Sequence, residues 1–248
     1  MSVASLALVL GAAPVAAFAD ETGTTLNSTE QSALDAFHTS LTDAVAAGAD
    51  GAAENLDAFN SLTADQTLGL AQYLTGESDL SAAAPSADAT TSTEDGTTVA
   101  TDGDAQWVSE TEAQSTPVAP AQSKVSGARV AAAAAATYNV HSYADESFVF
   151  AGITISKTRV WADYVTGSGV VKSIRDYGCQ LVQNYEPTAE ITTAKQSQSL
   201  SGGKATFKCL VTVKRGFPTP WGQITTSTRQ AYQYMSVNGP GVYAHGWQ

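Results

Sequence analysis

From Tyr138 to Gln248 the chain shows no helical periodicity, and this limits its fold more than any other feature. Turn signals cut these 111 residues at Gly167–Gly169, Ser201–Gly203, Pro218–Pro220 and Asn238–Gly241. Between them run Thr-, Val- and Tyr-rich segments. In the clearest, Phe207, Cys209, Val211 and Val213 alternate with Lys208, Thr212 and Lys214. A period of two sends successive side chains to opposite faces, as in a half-buried strand. Leu210 is the one apolar residue on the polar side. Strands are expected at 138–143, 147–156, 157–166, 169–184, 189–200, 203–215 and 222–237. Seven such strands predict a mainly β chain whose residues 137–248 form an antiparallel β-sandwich.

The residues before this domain have a different composition. All 12 Lys and Arg lie at or after Lys124, so residues 1–123 carry −18 and the remainder +6. Aromatics are equally lopsided, five before residue 124 and fifteen from Tyr138 onward. A chain this uneven reads as modular.

Residues 1–19 read as a signal peptide. Val3–Ala19 is apolar and uncharged, and it closes on Ala17-Phe18-Ala19, the small-x-small pattern of a cleavage site between Ala19 and Asp20. No Lys or Arg precedes the run, so an upstream start supplying basic residues is expected. Residues 20–76 read as a small helical region. Ser28-x-x-Gln31 and Thr63-x-x-Gln66 have capping-box spacing. Leu34, Phe37, Leu41 and Val45 recur at helical intervals, Leu56, Phe59 and Leu62 follow, and Leu68, Leu70, Tyr73 and Leu74 run up to Gly76. Residues 77–136, rich in Ala, Ser, Thr and Asp with Trp107 as the one aromatic, read as a disordered linker. Ala131–Ala136 offers at most a helical turn.

Cys179 and Cys209 sit on two expected strands, 30 positions apart, and pair most simply as a disulfide of an exported domain. The rival, a catalytic thiol, needs a histidine beside it, and neither His141 nor His245 adjoins either cysteine in sequence. Trp161 precedes both cysteines, which is not the immunoglobulin order. No metal, P-loop or serine-hydrolase motif is present, and His38, His141 and His245 lack ligand spacing. No catalytic residue, metal ligand or cofactor is therefore assigned. Asp145, Glu146, Asp163, Asp176, Glu186 and Glu190 are the carboxylates from which a glycosidase pair would have to come.

Binding chemistry is the better match. Lys204, Lys208 and Lys214 share one parity on a strand, and Tyr232 and Tyr234 share a polar face of another with Thr226, Thr228 and Gln230. Residues 137–248 hold ten basic and six acidic residues on an otherwise acidic chain. These features predict an exported, non-catalytic protein, secreted or loosely wall-associated. Its β-domain would bind an anionic polymer, a carbohydrate or a surface protein by charge attraction and ring stacking. The overall charge of −12 disfavours nucleic acid, and no apolar run after residue 19 is long enough to be an integral membrane segment. The alternatives are a secreted hydrolase with a carboxylate pair and a bacteriocin-like toxin.

Overall fold

A computed structural model describes residues 25–94, 97–118, 136–219 and 222–248. The cleavage site Ala19–Asp20, Trp221 and most of the alanine run lie outside the described residues. Three helices open the chain: α1 (Ser28–Ala46), α2 (Ala52–Asn60) and α3 (Ala64–Thr75). The first cap lies one residue earlier than the Ser28 spacing suggests. Asn27 accepts from the Thr29 and Glu30 amides, and Glu30 closes the box by accepting from the Asn27 amide. Thr63 and Gln66 form the second box as expected, and Gly76 ends α3. Leu34, Phe37 and Leu41 are buried, while Val45 is exposed.

Ten strands follow in two antiparallel sheets. One has the order β1 (Thr90–Glu94), β2 (Thr97–Asp102), β3 (Ala105–Pro117), β4 (Thr137–Phe150), β5 (Ile153–Gly167), β6 (Val170–Asn184). The other runs β10 (Val242–Trp247), β9 (Gly222–Val237), β8 (Lys204–Thr219), β7 (Ala189–Ser201). Within each sheet consecutive strands pair, and the chain changes sheets between β6 and β7. Three expected strands between 138 and 166 are two long ones, turned at Ala151 and Gly152, both of positive φ. The C-terminal strand β10 was not expected from the sequence.

The largest correction concerns residues 77–136. Thr90–Glu94, Thr97–Asp102 and Ala105–Pro117 are not linker but three strands, with β3 paired to β4 from Ala105 through Pro117. Small side chains do not prevent this, because β3 needs only its inner face to be covered. Ala105, Trp107 and Ser109 supply that buried face, and Trp107 Nε1 donates to the Ser81 carbonyl at 2.9 Å.

The helices are not a separate unit either. Phe37, Leu41, Leu70 and Tyr73 share one apolar cluster with Trp107, Phe148, Ile153, Ile155, Val211 and Val213. Tyr73 stacks on Phe148 at 4.9 Å and donates to Glu186 at 2.9 Å. Glu186 accepts two bonds from the Arg215 guanidinium, 2.6 and 3.2 Å, with all three residues buried. Burial pushes the Tyr73 phenol well above its ordinary pKa, and the neighbouring Glu186 adds to the rise. A helical region too small for its own core completes that of the sheets.

A second apolar cluster, built around Val140, Val160, Tyr164, Phe207, Met235 and Val237, fills the other end. Cys179 of β6 and Cys209 of β8 are joined by a disulfide across the sheets, with Cα atoms 5.8 Å apart.

Candidate functional site

Alternation along β8 buries Ala205, Phe207, Cys209, Val211 and Val213, so Lys204, Lys208 and Lys214 all project from the outer face of the four-stranded sheet. Tyr232 and Tyr234 of β9 face the same way, opposite Leu210 and Lys208 respectively. Leu210, anomalous in the alternation, packs outward as the cross-strand neighbour of a tyrosine that is 40% exposed.

The three lysines differ in their surroundings. Lys208 Nζ donates to Gln248 Oε1 at 2.6 Å, and Lys204 Nζ stands 4.9 Å over the Tyr243 ring. Both partners are neutral. Lys214 sits six residues, about 20 Å, along the strand from Lys208 and pairs with Glu190 at 3.7 Å. The structure therefore brings Lys204, Lys208, Tyr234 and Tyr243 together, with Tyr232 alongside, and leaves Lys214 apart. Tyr243 was missed as a partner because β10 itself was missed.

Of the six candidate carboxylates, Asp163 and Asp176 are cross-strand partners on β5 and β6 bordering one depression, and the other four are not brought together as a pair. Asp145 takes a bidentate pair from Arg159 at 2.6 and 2.7 Å, and Glu186 takes one from Arg215. Asp163 meets His141 at 2.8 Å and Glu190 meets Lys214. Asp176 accepts from Lys195 at 2.9 Å, which holds its pKa below the ordinary value. Glu146 points inward, buried between the sheets, accepting from Ser109 Oγ and lying 3.4 Å from His245 Nδ1.

This Ser–Glu–His set has the wrong order for acyl transfer. A nucleophilic serine needs an imidazole to take its proton, and here the carboxylate stands between hydroxyl and ring. It belongs instead to a polar belt separating the two apolar clusters. Gln233, fully buried, donates from Nε2 to the Ala144 and Thr158 carbonyls at 3.2 and 3.4 Å. Gln233 Oε1, Thr158 Oγ1 and Trp247 Nε1 are buried there without a protein partner.

Among the described residues no group of three or more His, Cys, Asp or Glu is placed to hold a metal ion, and no helix is long and apolar enough to cross a membrane. Sequence reasoning missed the outer face of the six-stranded sheet. There Glu110 and Glu112 of β3 meet Tyr143, Asp145, Lys157 and Arg159 of β4 and β5. Tyr143 donates to Glu112, which lowers the carboxyl pKa and raises that of the phenol. Arg159 lies 3.8 Å over the Tyr143 ring, and its charge is reinforced by the hydrogen bonds to Asp145. The usable signal was alternation through Ala105, Trp107 and Ser109, hidden by reading that segment as linker. Comparison with family models, curated proteins and solved structures finds no match for this chain.

Proposed function

We propose that this chain is an exported binding protein, without catalysis of its own, that holds an anionic polymer of a cell surface through the outer face of β7–β10. The observation that carries this is the cluster of Lys204 and Lys208 with Tyr232, Tyr234 and Tyr243 on one exposed sheet face. Two ammonium groups that meet an amide oxygen and a phenol ring, with no carboxylate ion pair among the described residues, keep their attraction for phosphate or carboxylate, and the adjacent rings add stacking area. Two sequence features support the export part: the apolar segment ending at Ala19, and a cysteine pair closed as a disulfide, which persists in oxidising compartments.

The hydrolase alternative is less well supported. It needs one carboxyl kept protonated close to a second that is ionised. Asp145, Asp163, Asp176, Glu186 and Glu190 are each engaged by a neighbouring basic side chain, and Glu146 lies inside the sandwich.

The test is sedimentation of the full chain with bacterial envelopes across a salt series. Binding is expected at low salt and is lost as ionic strength rises. The K204Q/K208Q variant is expected to lose most of it, and K214Q little, because Lys214 is already paired. Salt-independent binding, or full binding by the double variant, overturns the proposal.

A further inference from the structure

The outer face of the other sheet carries an aromatic ridge. Glu112, Tyr143, Trp161 and Gly178 form one row across β3, β4, β5 and β6. Gly178 lets the indole lie down on the sheet: a Cβ there would fall within the Trp161 ring, against Cε2, Nε1 and Cζ2. Trp161 is half-buried, with one face on the β6 backbone, so its exposure lies on the side away from the sheet. The His141 ring is inclined only 28° to it, 6.1 Å between centroids.

Two polar depressions flank this ridge. One of about 480 Å³ is bordered by Glu110, Glu112, Asp145, Lys157 and Arg159, the other of about 400 Å³ by Gln114, Asn139, His141, Asp163, Arg175 and Asp176. From Glu110 to Thr116 the strip is about 20 Å long. Asn139 Oδ1 is buried without a hydrogen-bond partner beside the second depression.

We propose that this ridge binds a neutral glycan, a pyranose ring stacking on Trp161 while its hydroxyls meet the polar groups on either side. A pyranose presents C–H groups on its faces and hydroxyls around its rim. A flat indole bordered by donors and acceptors complements both. The charge balance selects a neutral ligand. Asp145 with Arg159, Glu110 with Lys157 and Asp176 with Lys195 compensate each other, and of the remaining acids Asp163 shares its depression with Arg175 and Glu112 with Arg159, so no strong field of one sign remains. Those same pairs, with the Tyr143–Glu112 bond, fix the side chains before a ligand arrives, which lowers the entropy lost on binding. The site lies on the sheet opposite the lysine face, and its binding is governed by stacking instead of salt.

The experiment is retention of the full chain on insoluble cellulose, chitin, xylan, β-1,3-glucan and starch at high salt, followed by calorimetric titration with the matching oligosaccharide. Retention on at least one of them is expected. W161A should weaken it about tenfold, W161Y should restore part of it, and G178A, which displaces the indole without removing it, should weaken it like W161A. K204Q/K208Q should bind as the parent does. Melting curves establish that each variant is folded, and the W161Y and G178A results stand if W161A does not fold. Retention on none of the five polymers overturns the proposal, as does equal retention by folded W161A or G178A.

Discussion

The hydrogen bond from Tyr143 to Glu112 couples two titrations on the six-stranded sheet. It depresses the Glu112 pKa by stabilising the carboxylate. A carboxyl whose folded pKa is depressed stabilises the fold above its ordinary value, and that contribution is lost as pH falls through the folded value. Y143F should therefore return the Glu112 titration upward toward the ordinary glutamate range, followed by carboxyl carbon NMR. The exposed pairs Lys195–Asp176 and Lys214–Glu190 contribute little by comparison, since solvent screens them.

Between elements, the Tyr73–Glu186–Arg215 contact joins α3 to the segment before β7 and to β8. A buried ion pair adds little over an apolar substitute, but removing one member strands the other charge. E186Q should accordingly destabilise the fold by about 3–5 kcal/mol, read from the shift of a denaturant midpoint. Which elements exist was legible wherever period or cap chemistry was strong: the Thr63–Gln66 box, the β8 alternation, the paired cysteines and the parity of the three lysines. Residues 90–117 were not legible, because Thr, Ser and Ala give weak apolar contrast and a strand covered on one face by three side chains leaves little pattern. The turn at Ala151–Gly152 lacked the usual Asn or Asp signal, so the expected strand 147–156 joined the end of β4 to the start of β5. The aromatic ridge went unseen for a different reason. Glu112 and Trp161 lie 49 positions apart, and only the β3–β4–β5 register aligns them.

Over the whole molecule, the charge asymmetry read as modularity is partly complementarity between the two halves. Glu110 meets Lys157 and Asp79 meets Arg229, acid from the first half against base from the second. Residues 137–248 alone would expose β4 as an unpaired edge and uncover Phe148, Ile153 and Ile155. That fragment should aggregate or give poorly dispersed NMR spectra, while the full chain unfolds in one cooperative transition; a soluble, well-dispersed fragment would count against the shared core. The sequential strand order also bears on how the chain assembles as it is synthesised. Within each sheet, every strand after the first emerges beside a neighbour already made, and hairpins close in about 1–10 μs while synthesis adds roughly 5–20 residues per second. The first sheet can be built before the second exists. The α3 clasp, by contrast, must wait for Arg215, so the helices made first are locked in place only once β8 has emerged.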